Sequence, residues 1–200
     1  MHDCYVTATL LNSWLYYLKS REEYEEQAKE DFLNCLNKRK TEPAEAMQRG
    51  IDFENAVHTC DVLSTVCEDD DTVNQITDYV KGGLWQETVT KHIDIDGLNV
   101  LIYGKADVIK IDTIYDIKRV SKYEIGKYSK SVQHLFYLYC SGLPTFKYLV
   151  SNGKSVFIET YTNNAYTESM VKTAIRDFFE WLKATGRFDL YLEKWKGADK

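Results

Sequence analysis

Two short stretches carry the side chains best suited to chemistry, Gly104-Lys105-Ala106-Asp107 and Asp116-Ile117-Lys118. Both lie in β-rich runs, 98–109 and 114–120, separated by the short charged connection from Lys110 to Thr113. A hairpin symmetric about the 111/112 link pairs residues whose numbers sum to 223, and so sets Asp107 opposite Asp116. Two carboxylates facing each other across a strand pair repel and destabilise a sheet unless something positive lies between them. A divalent cation is the natural occupant, because hard ions take carboxylate oxygens. Asp116 and Lys118 are two apart on one strand, so both side chains leave the same face. The ammonium then stands beside the cation, where it can hold or help activate a water. A register slip of one residue would send Asp107 to the other face. Taken without its surroundings, an Asp-x-Lys pair reads far more often as a solvent-facing strand edge, with Asp107 close to a turn.

The surrounding elements follow from apolar spacing. Residues 7–19 place Leu10, Leu11, Trp14, Leu15 and Leu18 on a helical repeat. Residues 21–38 draw a thin stripe of Tyr24, Ala28, Phe32 and Leu36 through a Glu- and Lys-rich helix. A third helix is expected after Thr41 and Pro43, a cap followed by an early proline, running through Met47, Phe53, Val57 and Leu63 to about Val66. The acidic run from Glu68 to Asp71 reads as a loop, with Asp71 or Thr72 capping a short helix to Lys81. At Gly82-Gly83 the apolar period changes from that of a helix to that of a strand. Residues 85–95 alternate and end at the turn Asp96-Gly97, and the two runs with the acidic pair follow. Helical spacing returns over Ser131–Cys140. Thr145–Ser151 and Ser155–Tyr161 flank the hairpin turn Asn152-Gly153. An amphipathic helix over Thr167–Ala184 and a short one from Phe188 to Trp195 close the chain. The expected fold class is α/β, a mixed central β-sheet flanked by helices. It forms a single domain over 1–200, with a helical N-terminal layer over about 1–81 and a core over about 50–185.

Gly104-x-x-Asp107 followed by Asp116-x-Lys118 on a strand hairpin resembles the PD-(D/E)XK nuclease superfamily. Upstream, Gly50-Ile-Asp-Phe53-Glu54-Asn-Ala-Val-His58 resembles the helical motif with a metal-binding histidine of RecB-type nuclease domains and CRISPR-adaptation exonucleases. Downstream, Gln133-His-Leu-Phe-Tyr137 resembles their Q-x-x-x-Y helix. The motifs fall in the expected order over roughly residues 50–140, with Ala106 in place of the proline of the family name. The resemblance implies a restriction-endonuclease-like core and a metal-dependent DNA nuclease. In it Asp107 and Asp116 are the main metal ligands, with the backbone carbonyl of Ile117 alongside. Lys118 positions the attacking water, while Gln133 and Tyr137 reach the site or a phosphate. His58 would donate an imidazole nitrogen, a ligand type that suits Mn²⁺ better than Mg²⁺, or else be a core histidine beside Phe53 and Val57. Glu54 lies one turn before His58 and shares its face, either as its partner or as a plain helix carboxylate. Tyr137, set among Leu135, Phe136 and Leu138, is also a core candidate. Glu87 on the first long strand is a further candidate for a second metal position. Some relatives hold an iron–sulfur cluster on one early and three late cysteines. Here no cysteine follows Cys140, so no iron–sulfur cluster is expected. The implied activity is that of an exonuclease in recombination, repair or phage DNA processing. The alternative is a catalytically silent DNA-binding or protein-interaction module on the same fold.

The chain has 200 residues with 25 Lys+Arg and 31 Asp+Glu, a formal net charge of −6 and a pI near 5.3. With 44% hydrophobic residues, ten glycines and two prolines, it is neither disordered nor collagen-like. Net acidity alone argues against a simple basic-surface nucleic-acid binder, but the charges are segregated. Between Arg21 and Asp71 fifteen acidic residues face six basic ones, whereas between Ile117 and Lys154 seven basic residues face Glu124 alone. The second segment holds Lys118 and provides a basic track where DNA phosphates would lie, backed by an acidic helical layer whose Glu-rich helix 21–38 offers a contact surface for a protein partner; a homo-oligomer is the other partner considered, with no interface legible in the sequence. Five cysteines without a Cys-x-x-Cys pair argue against a disulfide framework and a zinc site, and for a cytoplasmic setting, that of a bacterial host if the chain is phage-encoded. No apolar run is long enough to span a membrane.

Overall fold

A computed structural model describes residues 3–197; the terminal His2 lies outside them. The chain runs β1 (Cys4–Thr7), α1 (Ala8–Lys19), α2 (Glu22–Leu36), α3 (Glu45–Leu63), α4 (Asp71–Val80), β2 (Leu84–Ile95), β3 (Leu98–Lys110), β4 (Thr113–Arg119), α5 (Gln133–Ser141), β5 (Thr145–Ser151), β6 (Val156–Thr162), α6 (Thr167–Ala184) and α7 (Phe188–Lys194).

The six strands form one mixed sheet with β3 as its spine. β2 pairs antiparallel with β3 along almost its whole length. On the other edge, β3 takes two neighbours in succession. β1 lies parallel to residues Val100–Tyr103, and β4 lies antiparallel to residues Val108–Lys110. β5 then adds parallel to β4, and β6 antiparallel to β5. The stretch of β3 between its two neighbours, Gly104 to Asp107, is where the sheet opens.

Helices cover both faces. The larger core packs α1, α2, α5, α6 and α7 on one face, with Leu10, Leu11, Phe32, Phe136, Phe178 and Leu182 buried in it. The smaller core packs α3 and α4 on the other through Phe53, Val57, Val73, Ile76 and Val80, against Val108, Tyr115 and Ile117. Among the described residues no helix is long and apolar enough to cross a membrane.

Three local expectations are corrected. β1 was not foreseen: four residues are too few to show an alternation, and Thr7 reads as part of the helix that its hydroxyl caps by accepting the Leu10 N–H at 3.1 Å. α3 begins at Glu45 behind an extended Ala44, so neither Thr41 nor Pro43 enters its first turn, and it stops at Leu63 because Ser64 takes a left-handed conformation (φ 53°). α4 is capped by Asp70, whose carboxylate accepts the Thr72 N–H at 2.9 Å.

Candidate active site

The expected register holds. Val108 pairs with Tyr115, Ile109 with Ile114 and Lys110 with Thr113, each summing to 223. The ladder ends there, one step short of the Asp107–Asp116 pair. In its place the Asp107 Oδ2 accepts the backbone N–H of Ile117 at 2.7 Å, so a side chain substitutes for the missing backbone rung. The other edge of β3 is irregular at the same point. Gln86 stands opposite Asp107, adopts a left-handed conformation (φ 56°) and leaves the ladder for one residue. Val89 and Ala106 face the larger core while Trp85 and Val108 face the smaller, so both strands exchange faces across this pair.

Asp116 sits in the middle of the sheet, 4% exposed. Its Oδ1 accepts from Gln133 Nε2 at 2.6 Å, which ties β4 to the first residue of α5. Its Oδ2 lies 2.5 Å from Lys118 Nζ, a close ion pair between carboxylate and ammonium. Burial pushes the Asp116 carboxyl up, and the ammonium and the Gln133 amide pull it back. Asp107 is half-buried but closely surrounded; burial and then the Asp116 charge raise its pKa well above the ordinary carboxylate range, with Lys118 opposing. Lys118 loses hydration on burial, yet the two aspartates hold its pKa above the usual lysine value. One cation thus pairs with the buried Asp116 and lies in the field of the half-buried Asp107.

A third carboxylate feels the same field. Glu54 projects from α3, its pKa raised by burial and by the Asp116 charge and lowered by Lys118 and Lys105. Its Oε1 accepts from Gln86 Nε2. Helical spacing places Glu54 and His58 on one face without telling which approaches the aspartates; the structure turns Glu54 to them. His58 is exposed and packs against Trp85 at a tilt of 50°, ring centroids 4.6 Å apart, with no contact to either aspartate among the described residues. Glu87 is exposed on β2 opposite Ala106.

Tyr137 is buried in the core and also borders the site. Its hydroxyl donates to the Lys105 carbonyl at 2.7 Å, holding the stretch of β3, open on one edge, that leads to Asp107. Tyr128, in the loop after β4, is close enough to Lys118 for each to bias the other's protonation. Neither Gln86 nor Tyr128 carried a motif to mark it.

Among the described residues no three His, Cys, Asp or Glu side chains already converge at ligating distance. The donors present nevertheless fit a hard divalent ion. Two carboxylates are held together against their repulsion, and an adjacent backbone carbonyl at Ile117 and a third acid at Glu54 add oxygen donors.

No family model matches the chain, and no curated protein matches it in sequence. Solved structures do match in fold. The crystal structure of SSO0001 superposes with a TM-score of 0.58 at 12% identity, covering 88% of this chain and 76% of that one. LHK-Exo, an alkaline exonuclease from Laribacter hongkongensis, matches with TM-scores of 0.53 in complex with dAMP and 0.51 in a second structure. The identities are 15% and 16%, with 90% of this chain and 88% of that one covered in both. At such identities the likeness is one of fold. The chain shares the fold of these solved structures, a six-stranded mixed sheet between helices.

Proposed function

We propose that this chain is a divalent-metal-dependent deoxyribonuclease that hydrolyses phosphodiester bonds from DNA ends. The observation that carries the reading is the sharing of Lys118 between Asp107 and Asp116 at the opening of an exonuclease-like sheet. Asp107, Asp116 and the Ile117 carbonyl would hold Mg²⁺ or Mn²⁺, with Glu54, rather than His58, supplying further negative charge. The ion, when bound, supplies Lewis-acid polarisation of the phosphodiester.

The remaining work falls to the protein. Asp116 anchors the Lys118 ammonium, whose protons orient a water for in-line attack and offset charge growing on the phosphoryl oxygens. Gln133 fixes the Asp116 carboxylate through Oδ1, leaving Oδ2 toward the lysine. Tyr137 sets the path of the backbone leading to Asp107. LHK-Exo binding dAMP supports a nucleotide substrate. An activity on linear DNA in the cytoplasm would serve recombination, repair or phage DNA processing.

The test is digestion of end-labelled linear, circular and single-stranded DNA with Mg²⁺, Mn²⁺ or EDTA. Linear DNA should be shortened from its ends only with metal, and Lys118→Ala and Asp116→Asn should each lower the rate by at least about 10²-fold. Full activity in EDTA or in either variant would falsify the reading.

A further inference from the structure

The segment 121–131 joins β4 to α5 without regular secondary structure, yet it is tied down along its length. Its anchor is Glu159 of β6, a carboxylate only 8% exposed. Oε1 accepts the Tyr123 hydroxyl at 2.8 Å; Oε2 accepts the Tyr161 hydroxyl at 2.5 Å and the Tyr128 N–H at 3.3 Å. The Tyr123 ring stacks on Phe157 with centroids 4.4 Å apart, and the Tyr128 ring on Tyr148 at 4.5 Å. Between the anchors run successive tight turns. Lys127 N–H donates to the Glu124 carbonyl at 3.1 Å, Ser129 N–H to that of Gly126 at 3.0 Å and Ser131 N–H to that of Tyr128 at 2.9 Å. Burying a carboxylate is costly unless donors satisfy it, and here two of its three donors belong to this loop. The loop is therefore shaped before any ligand arrives.

What it presents is unusual for a surface shaped by folding alone. Ile125 stands at the apex, 97% exposed, with Lys122, Lys127 and Lys130 exposed around it. An isolated exposed apolar residue is ordinary. An isoleucine fixed at the tip of an ordered loop, ringed by three cations and opposed only by Glu124, adds nothing to the core. The loop is also continuous with the candidate centre: it begins three residues after Lys118, Lys127 lines a cleft with Arg119 and Ser121, and Tyr128 is felt by Lys118.

We propose that loop 121–131 is a preformed grip for the DNA strand, in which Lys122, Lys127 and Lys130 take backbone phosphates and the Ile125 side chain packs on a nucleobase. The assignment rests on the nuclease reading and adds where the strand is held and by which chemistry. Phosphates explain the lysines, and the apolar face of a base explains an isoleucine among them. A protein partner would account for Ile125 but not for the continuity with the catalytic lysine.

The experiment is anisotropy titration of fluorescein-labelled single-stranded and duplex DNA in EDTA, across a series of salt concentrations. The variants are Lys122→Gln/Lys127→Gln/Lys130→Gln together and Ile125→Ser alone. A control of equal charge change is Lys29→Gln/Lys40→Gln/Lys81→Gln, all exposed elsewhere. The loop triple is expected to weaken binding more than about tenfold and to reduce the slope of log K against log salt by about 2–3. Ile125→Ser is expected to weaken it about fivefold or more with an unchanged slope, and the control triple less than twofold. All substituted side chains are exposed, and melting curves check that each variant folds. If the parent binds DNA and the loop triple matches the control, the grip is overturned while the nuclease reading stands. Unchanged binding by Ile125→Ser overturns the base contact. A parent that neither binds nor cleaves DNA overturns both.

Discussion

Gly104 lies directly beneath the ring of Tyr137. A Cβ at this position would stand 2.8 Å from Cε1 and 3.1 Å from Cζ, with φ in the ordinary range, so the requirement is for space alone. The ring can then lie across the open stretch of β3 and send its hydroxyl to the Lys105 carbonyl. Gly104→Ala is expected to lower stability by about 1–3 kcal/mol through overpacking. Tyr137→Phe should cost about 1 kcal/mol by removing the hydrogen bond alone. Urea unfolding of both and of the double variant checks this: the losses should be less than additive if the methyl displaces the ring, and simple additivity contradicts the account.

The Gln133 amide holds the Asp116 oxygen that Lys118 does not. Replacing it with Leu leaves a buried carboxylate short of one donor and free to rotate. Substitutions of residues that orient metal ligands typically cost 10–100-fold in metal affinity or activity. Gln133→Leu should therefore raise the Mg²⁺ concentration for half-maximal cleavage by roughly that factor. Metal titration of the rate decides it, and a variant with lower rate but unchanged metal requirement would place Gln133 on the substrate instead.

His134, 4% exposed and stacked on Tyr161 at 3.8 Å, has an Nδ1 with no hydrogen-bond partner among the described residues. Burial lowers its pKa to about 4, with Glu159 opposing. The unfolded chain, with a histidine near 6.5, binds the proton first. Stability from the neutral ring is thus complete above about pH 6.5 and is lost as pH falls toward 4, by up to about 3 kcal/mol. His134→Phe should remove this acid sensitivity. Chemical denaturation of parent and variant between pH 7 and 4 measures it; parallel curves would reject it.

The elements with long periodic runs could be read before the fold was known, because burial on one face writes itself into spacing. Such are α6, the β5–β6 hairpin with its Asn152-Gly153 turn, and the register that brings Asp107 toward Asp116. Other features leave no such trace. Glu54 and His58 share a helix face, and only the exact roll of α3 over the sheet decides which one meets the aspartates. The exchange of faces at Gln86 depends on a left-handed conformation at a residue that does not advertise it. Glu159 on β6 reads as a solvent-facing acid; that a tyrosine hydroxyl and a backbone amide join Tyr161 in closing over it depends on a loop far away in sequence.

Without metal, Asp107, Asp116 and Glu54 share Lys118, and burial together with mutual repulsion raises the pKa of Asp107. The folded chain therefore takes up this proton more readily than the unfolded one. The associated stability is present below about pH 3.9 and is lost as pH rises through the folded value. At neutral pH the Asp107 charge is a burden that Asp107→Asn lifts, while its carbonyl can still accept the Ile117 N–H. The metal-free variant should melt higher than the parent at pH 7, by about 2–4 °C for each kcal/mol of repulsion relieved, and the gap should close near pH 4. Mg²⁺ reverses the order. A site that binds only in the folded chain adds about 2.7 kcal/mol at a hundredfold excess over Kd. That gain requires the carboxylate, so the parent should rise with Mg²⁺ and the variant stay nearly flat. Melting curves at pH 7 with and without Mg²⁺ give both signs at once. A metal-free variant less stable than the parent, or a parent indifferent to millimolar Mg²⁺ and Mn²⁺, would show that the acidic pair is not built for a cation.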